Sequence, residues 1–416
     1  MKVRTKFLLS GAIVLVVAFS SQFNSDLLLS MTSSLTGGAQ SGGNESTTQE
    51  EAVGDSESSS NILRLGYFPN LNHAQVIIGL ANGHFQKALS ENNTTGGVGG
   101  DKGARIQEYV FSAGPSAIEA LYAGQIDAAY VGPNPAINGY LASNGEGIRV
   151  ISGSASGGAV FVVRNDSGIL STADFGGKKF ASPQLGNTQD VALRKYLLQN
   201  GYETVENGGN VTVVPVKPSD ILTLMLKKEI DGAWVPEPWG ARLVKESNGK
   251  IFVDERDLWP PDGKFVTTNI IVRTDYLKNN PEIIRKLIEA QIDETMWIND
   301  TLKDLRNSNP NEGSARIENE SNVEIGQDGV EAFIQAFNNG LQRITGNTVP
   351  EDELRDALER LEFTYDPVEQ SLFEMADDAY DLNLIGRGSK PDLTNIYDLG
   401  LLKEVLNERN LPVDNL

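Results

Sequence analysis

Cysteine is absent from the 416-residue sequence, and histidine occurs only twice, as His73 and His84. Without cysteine the chain cannot form disulfides, iron–sulfur clusters, thiolate zinc sites or a cysteine nucleophile. Neither histidine has carboxylates at metal-ligand spacing, so we expect no metal and no cofactor. The sequence also lacks a Walker A stretch, a Gly-x-Ser-x-Gly elbow and a His-Glu-x-x-His pair. These absences favour a binding protein over an enzyme.

Basic residues are scarce relative to acidic ones. The chain has 35 Lys and Arg against 56 Asp and Glu, which gives a formal net charge of −21. A charge of this sign repels nucleic-acid phosphates and anionic membrane surfaces. We therefore expect no nucleic-acid partner. A small ligand is compatible with the charge, because a local site can differ from the average.

Residues 1–61 divide into an apolar start and a polar stretch. Lys2, Arg4 and Lys6 precede an apolar run over 7–19, which is typical of a secretory signal and shorter than the about 20 residues of a spanning helix. We expect a signal peptide or membrane anchor over 1–31, with a candidate cleavage site at 18–20. Residues 32–61, rich in Ser, Thr and Gly, predict a disordered tether. The folded part is therefore expected outside the cytoplasm, in the periplasm or at the cell surface.

One sequence pattern occurs twice in the folded part, and we call this repetition the echo. Residues 126–131 and 230–235 both read Ile-Asp-(Ala/Gly)-Ala-(Tyr/Trp)-Val, and each follows a helix-like segment. Each ends at a proline-rich turn, over 132–135 and 236–239. A helix that leads into a short apolar strand indicates a βαβ unit with parallel strands. The echo therefore predicts an α/β fold of two similar lobes, with a ligand cleft at the carboxyl ends of the strands.

The remaining segments follow the same strand–helix alternation. The helix expected over 188–200 has Leu193, Leu197 and Leu198 on one side, and a polar, irregular insertion is expected over 305–325. Further strands are expected over 62–68, 105–111, 149–153, 159–163, 211–216 and 265–273. Further helices are expected over 74–81, 282–300, 328–344 and 351–361.

Several short stretches, in this order, resemble a known family. They are 65–69 (Leu-Gly-Tyr-Phe-Pro), 112–116 (Ser-Ala-Gly-Pro-Ser), 174–178 (Asp-Phe-Gly-Gly-Lys), 186–190 (Gly-Asn-Thr-Gln-Asp) and 234–239 (Trp-Val-Pro-Glu-Pro-Trp). The sequence is similar to the extracytoplasmic substrate-binding proteins of ABC importers of the nitrate, sulfonate and taurine type.

The resemblance implies a type II periplasmic binding protein fold, in which two lobes joined by two crossover strands close on a small anion. It places lobe 1 at 62–152 plus 265–416, with a helical C-terminal region, and lobe 2 at 153–264. The hinge is then expected near 152–154 and 264–266. The implied partners are a small anionic ligand and an ABC permease, and the chain is expected to be a monomer.

Four loops between a strand and a helix predict the anion site: 112–116, 132–135, 186–190 and 218–220. Unpaired N–H groups and the helix dipole favour anions at helix N-termini, although the same Ser, Thr and Asn residues could simply cap their helices. Asp190 is expected to point away. The candidate ligand-binding residues are Asn72, His73, Ser112, Gly114, Ser116, Asn134, Gly186, Asn187, Thr188, Gln189, Glu237 and Trp239.

Three questions stay open at the level of sequence. Glu237 could bind the cationic part of a zwitterion or form a bond across the hinge, and we favour the second. His73 could face the cleft or bond to backbone. The ligand could be a sulfonate, nitrate, bicarbonate or a pyrimidine, because the turn at 69–73 also resembles that of thiamine-pyrimidine binding proteins. The alternatives to an importer component are therefore a binding protein for a thiamine pyrimidine precursor and a tethered ligand sensor.

Overall fold

The computed structural model describes residues 61–91, 103–303, 325–386 and 389–413. The predicted signal or anchor, the tether up to residue 60 and the insertion up to residue 324 lie outside the described residues. Among the residues that are described, no helix is both long and apolar enough to cross a membrane.

Two mixed β-sheets form the framework, one of six strands and one of five. The first has the order β11-β4-β10-β3-β1-β2 and the second has the order β7-β6-β8-β5-β9. The strands are β1 (Ile62–Tyr67), β2 (Arg105–Val110), β3 (Ala128–Val131), β4 (Ile148–Gly157), β5 (Ala159–Arg164), β6 (Lys179–Ser182), β7 (Thr212–Pro215), β8 (Gly232–Pro236), β9 (Gly249–Asp254), β10 (Val266–Arg273) and β11 (Leu361–Phe363).

The helices cover both sheets. Thirteen α-helices are described: α1 (Ala74–Ala81), α2 (His84–Ser90), α3 (Gly114–Tyr122), α4 (Pro133–Ala142), α5 (Thr188–Gln199), α6 (Pro218–Leu226), α7 (Trp239–Glu246), α8 (Thr274–Asn279), α9 (Pro281–Thr301), α10 (Ile325–Thr345), α11 (Glu351–Leu358), α12 (Glu369–Asp381) and α13 (Gly400–Glu408).

The two sheets repeat one arrangement, as the echo predicts. In the first sheet β1 pairs in parallel with β2 and β3, and in the second β6 pairs in parallel with β7 and β8. An antiparallel strand then borders each echo strand, β10 beside β3 and β5 beside β8. The prediction of two similar α/β units with mixed sheets and a helical C-terminal region is therefore confirmed.

The chain crosses between the sheets twice. The first crossing follows β4, which stays in the first sheet up to Gly157, paired with Leu361. Gly157 and Gly158 both have positive φ (75° and 73°), a backbone conformation that glycine adopts readily. The sharp change of direction therefore lies a few residues beyond the expected 152–154. The second crossing lies between β9 and β10, through a 3₁₀ turn over Glu255–Leu258.

Two features of the helices differ from expectation. Leu193 and Leu197 are buried against the sheet, but Leu198 is 40% exposed. Leu193 and Leu197 share the buried face at an i, i+4 spacing. Leu198 is one residue beyond Leu197, so its side chain is rotated about 100° around the helix axis, away from that face. The sequence also did not predict β11, α12 and α13. The helix α12 packs against both α4 and α5, so the C-terminal region contacts both sheets' helices.

Candidate functional site

An inner cavity of about 30 Å³ lies where the parallel strands of the two sheets end. Each of the six parallel strands ends at, or just before, a residue of the cavity wall. Phe68, Ser112 and Gly132 follow β1, β2 and β3 in the first sheet. In the second sheet, Pro183 and Pro218 follow β6 and β7, and Pro236 is the last residue of β8. The expected position of the cleft, at the carboxyl ends of the strands, agrees with this wall.

The helix α5 directs its first turn at the inner cavity. The backbone N–H groups of Thr188 and Gln189 have no acceptor among the described residues, whereas those of Asp190 and Val191 donate to the Asn187 carbonyl. Free N–H groups in the first turn carry the positive end of the helix dipole. Both residues are buried and both line the cavity, so their N–H groups are available to an anion there.

The loop before α5 uses its other donors within the protein. The Gly186 N–H donates to Asp190 Oδ2 at 3.0 Å, and the Asn187 N–H donates to the Gln184 carbonyl at 3.0 Å. The Asp190 carboxylate also accepts from Ser182 Oγ at 2.7 Å and from Arg194 Nε at 3.1 Å. Asp190 therefore points away from the cavity, as expected, and the loop offers two backbone donors instead of four.

The helix α4 meets α5 across the cavity wall. Its N-cap is Gly132, and the prolines at its first and third positions, Pro133 and Pro135, have no N–H to donate. A Cβ added to Gly132 would lie 2.4 Å from Thr188 Oγ1, so only glycine allows the two helices to approach this closely. The Thr188 hydroxyl itself is buried and has no hydrogen-bond partner among the described residues.

His73 faces the cavity as a neutral side chain. Burial lowers the pKa of its imidazole to about 3, so the ring is uncharged near neutral pH. Its Nδ1 accepts the Phe68 N–H at 3.4 Å, which places the ring proton on Nε2. His73 thus bonds to backbone and lines the cavity at once, and it can donate one neutral hydrogen bond.

Asn72 lines the cavity with a fixed orientation. Its Nδ2 donates to the Gly157 carbonyl at 3.1 Å and to Thr267 Oγ1 at 3.0 Å. Because a carbonyl oxygen accepts only, the amide nitrogen must face Gly157, and Oδ1 must face the other way. That oxygen is buried and has no partner among the described residues.

The cavity wall carries no charged side chain among the described residues, since His73 is neutral. It combines backbone N–H groups with hydroxyl, amide and imidazole groups. Such a wall can hold one small anion through dipoles and neutral donors.

The structure brings half of the predicted residues to the inner cavity: Asn72, His73, Ser112, Asn187, Thr188 and Gln189. The others lie nearby. Gly114 packs against Pro135, where an added Cβ would lie 2.3 Å from Cγ. Ser116 is in the first turn of α3. Gly186 has its N–H bound to Asp190.

Glu237 and Trp239 also lie outside the cavity wall. The Glu237 carboxylate is fully buried and accepts from Arg360 Nε at 2.6 Å and from the Ala241 N–H at 3.0 Å. Burial raises the pKa of Glu237, and the Arg360 guanidinium opposes that rise. Trp239 Nε1 donates to Asn70 Oδ1 at 3.2 Å, which connects α7 to the turn after β1.

Thr267 and Thr268, at the start of β10, line the cavity and were not predicted. The loops predicted to form the anion site each lie between a strand and a helix, whereas Thr267 and Thr268 belong to a strand inside the first sheet. The available signal was the polar run Thr267-Thr268-Asn269 inside an otherwise apolar strand. All three side chains are buried. The Thr267 hydroxyl donates to the Gly157 carbonyl at 2.7 Å, whereas both polar atoms of the Asn269 amide have no partner among the described residues.

Two larger pockets adjoin the inner cavity. The Trp239 pocket, of about 450 Å³, shares Asn70, Ser112 and Pro218 with the cavity wall. The α5–α12 pocket, of about 340 Å³, shares Thr188 with it and also contains Asn134, the remaining predicted residue. The Asn134 side chain donates from Nδ2 to the Met375 carbonyl at 3.3 Å.

Fold and site together show two similar α/β units whose parallel strands end at one cavity, which is the arrangement of the type II periplasmic binding protein fold. The chain belongs to the NMT1-like family, whose model matches residues 56–308. A protein of Brucella abortus, named only as a binding protein, is 28% identical over 201 residues, which are 48% of this chain and 57% of the relative. The taurine-binding periplasmic protein of Escherichia coli is 25% identical over 198 residues, which are 46% of this chain and 57% of that protein.

The solved structures agree on the fold. The periplasmic nitrate-binding protein NrtA of Synechocystis PCC 6803 superposes with a TM-score of 0.61 at 15% identity, covering 85% of this chain and 90% of that one. The sequence matches span just over half the length of the two curated relatives, 57% in each case. The resemblance expected from the sequence is confirmed, and the prediction of a binding protein instead of an enzyme agrees with the relatives' names.

Proposed function

We propose that this chain is an extracytoplasmic solute-binding protein that delivers a small oxyanion to the permease of an ABC importer. The observation that carries the proposal is the inner cavity, which is small, uncharged and lined by the first turn of α5. The free N–H groups of Thr188 and Gln189 and the neutral donors of Thr188 and His73 suit an anion. Neutral donors also favour release to a permease, because the anion is not paired with a buried cation.

The volume of the inner cavity limits which anions it could hold. Its volume of about 30 Å³ is roughly two to three times the 10–15 Å³ that one water needs. Nitrate or bicarbonate could therefore be held whole. A sulfonate group could also be held if its carbon chain extends towards the Trp239 pocket, which shares part of the wall. A pyrimidine ring is too large for a cavity of about 30 Å³, which speaks against the thiamine-precursor alternative.

The Asn72 amide distinguishes bicarbonate from nitrate. Its buried Oδ1 accepts no hydrogen bond, and an unsatisfied buried acceptor costs about 1–3 kcal/mol. Bicarbonate has an O–H that can donate to this oxygen, whereas nitrate has no donor. We therefore favour bicarbonate over nitrate.

As part of the proposal, we assign this chain a transport role outside the cytoplasm. The taurine- and nitrate-binding proteins named above are periplasmic, and the charged and apolar start of the sequence is typical of export. We propose that the lobes expected at 62–152 plus 265–416 and at 153–264 close on the anion, with their boundary moved to Gly157, the last residue of β4 in the first sheet. The two crossings, at Gly157–Gly158 and between β9 and β10, are where such a movement would hinge.

A thermal-shift panel on the full chain tests the proposal. Sodium bicarbonate, nitrate, ethanesulfonate and an aminomethylpyrimidine are compared with sodium chloride at equal ionic strength, because a ligand that binds only the folded state raises Tm. We expect shifts for the oxyanions, with bicarbonate above nitrate. We also expect solution scattering to show a smaller radius of gyration with the binding anion. A shift for the pyrimidine alone, or for no compound beyond chloride, would contradict the proposal.

A further inference from the structure

The α5–α12 pocket contains a buried carboxylate that no cation balances. Glu255, in the 3₁₀ turn after β9, is 2% exposed. Its Oε2 accepts the Trp234 indole N–H at 2.6 Å. No Lys, Arg or His among the described residues lies within ion-pair distance of it, in contrast to the buried Glu237, which is paired with Arg360. An unpaired buried carboxylate is costly unless a ligand compensates it.

The other charged groups of this pocket have polar partners within the protein. Lys195 forms ion pairs with Asp378 at 2.8 Å and with Asp381 at 2.7 Å. Asp377 pairs with Lys390 at 2.7 Å, and the exposed Glu374 accepts from Gln370 at 3.1 Å. Glu255 is therefore the acidic group in this pocket that is both buried and without a counter-charge among the described residues.

Two further oxygens in the pocket lack partners. Asn134 is 2% exposed and Thr188 is 3% exposed, and both line the pocket. Asn134 Oδ1 and Thr188 Oγ1 accept no hydrogen bond from the described residues. The Asn134 amide is oriented by its bond from Nδ2 to the Met375 carbonyl, so Oδ1 is the atom that lacks a hydrogen-bond partner. These acceptors are an observation independent of the acidic side chains.

We propose that the α5–α12 pocket binds a primary ammonium group. Such a group has three N–H donors and no acceptor, which complements Glu255, Asn134 Oδ1 and Thr188 Oγ1. The rings of Tyr196 and Trp259 in the same pocket suit an organic cation. A metal ion is a poorer match, because the described residues contain no group of three or more His, Asp or Glu side chains that could hold one.

The position of Thr188 allows two sources for the ammonium group. Thr188 is common to this pocket and to the inner cavity, and one hydroxyl can donate to an anion on one side and accept from an ammonium on the other. The ammonium could therefore belong to a separate amine or to a zwitterion whose acidic end lies in the inner cavity. The proposal does not depend on the identity of the anion.

Calorimetry on the full chain tests the pocket with ethylammonium chloride, ethanesulfonate and 2-aminoethanesulfonate. We expect saturable binding of at least one of the two amines to the wild type. Glu255→Gln keeps an oxygen for the Trp234 N–H but removes the charge, and should weaken amine binding about tenfold to a hundredfold. Glu229→Gln, which changes an exposed carboxylate outside the pocket, should leave it unchanged. Ethanesulfonate binding should not respond to Glu255→Gln.

The arms of the experiment separate the two sources. Ethylammonium binding that is unaffected by ethanesulfonate would identify a separate amine. Tighter binding of 2-aminoethanesulfonate than of either parent compound would identify a zwitterion. If neither amine binds, or if Glu229→Gln weakens binding as much as Glu255→Gln, the proposal is wrong. Should Glu255→Gln fail to fold, Asn134→Leu serves instead. Weaker amine binding by that variant would support the proposal, and unchanged binding would overturn it.

Discussion

The two echoing turns, 132–135 and 236–239, occupy equivalent places in their sheets but end in opposite arrangements. Gly132 caps α4 and lies on the wall of the inner cavity. At the other turn, Glu237 folds back onto its own helix, where Oε2 accepts the Ala241 N–H, and it pairs with Arg360. Pro236 of the second turn is also on the cavity wall, but the helix N-terminus that follows it is filled by a carboxylate of the protein, whereas that of α4 is not. Under the proposed function, the same local topology supports binding in one place and stability in the other.

Removing the Glu237 carboxylate tests the stabilising turn and should have the largest effect. In Glu237→Ala the nearly buried guanidinium of Arg360 loses its partner, and breaking a buried ion pair costs about 3–5 kcal/mol. We expect a loss of this size in the free energy of unfolding, measured with urea. Glu246→Ala, an exposed residue on the same helix that pairs with Arg242, should change it by less than about 1 kcal/mol. Equal effects of the two variants would refute the distinction.

Glu255 extends the comparison, because it is as buried as Glu237 but lacks a cation. Burial raises its pKa to about 7 from the usual 4.5, opposed by the Trp234 N–H, while Asp254 and Asp378 also raise it. The folded state therefore keeps the proton at pH values where the unfolded state has lost it. The resulting stability is full below pH 4.5 and disappears as the pH rises through about 7, a loss of about 3 kcal/mol.

Glu255→Gln should remove this dependence. The free energy of unfolding in urea is measured for the variant and the wild type at pH 5 and pH 8, without amines. The contributions of other titrating groups cancel when the pH dependence of one protein is subtracted from that of the other. Lys195, Asp377 and Glu374 line the same pocket and stay in place in both proteins. The same pH dependence in both would show that Glu255 is already ionised at pH 5.

Gly132→Ala tests the binding turn. The new Cβ would lie 2.4 Å from Thr188 Oγ1, so α4 and α5 could not approach as closely, and overpacking of this kind costs about 1–3 kcal/mol. We expect affinity for the panel oxyanion to fall by up to about a hundredfold, measured by calorimetry. Gly400→Ala, whose nearest neighbour would be at 3.6 Å, is the control. Wild-type affinity in Gly132→Ala would mean that the bound state does not need this contact.

Removing residues 1–61 should have the smallest effect. Both turns and all the cavity residues lie after Ile62. A chain that starts at Ile62 should be soluble, with unchanged oxyanion affinity and Tm. Lost binding or insolubility would show that the polar stretch contributes to the folded part.

The sequence predicted the topology well because the echo is a backbone pattern. Short apolar strands between helices and proline-rich turns define where the chain reverses, and both sheets follow them. Side-chain direction is a different matter. Asn134 and Thr188 both open helices beside the cavity, but only Thr188 lines it, since Asn134 turns to the Met375 carbonyl of α12. That partner comes from a helix that the sequence did not predict.

Long-range partners explain the other differences. The Arg360 that pairs with Glu237 lies far along the chain, just before β11, and no local pattern connects the two. Thr267 and Thr268 reach the cavity because β10, which lies between β4 and β3 in the first sheet, begins at the cavity wall. Local spacing could not reveal these contacts, because each depends on how distant segments pack.

The central claim is that the first turn of α5 holds the anion, and Thr188→Val tests it most directly. Valine keeps the shape and the backbone N–H but removes the unpartnered Oγ1. Calorimetry with bicarbonate and nitrate should show a loss of about 1.5–3 kcal/mol for the lost donor, or roughly tenfold to a hundredfold in affinity. Asn200→Ala, at the far end of α5, should bind as the wild type does. Wild-type affinity in Thr188→Val, or an equal loss in Asn200→Ala, would contradict the account and place the anion elsewhere.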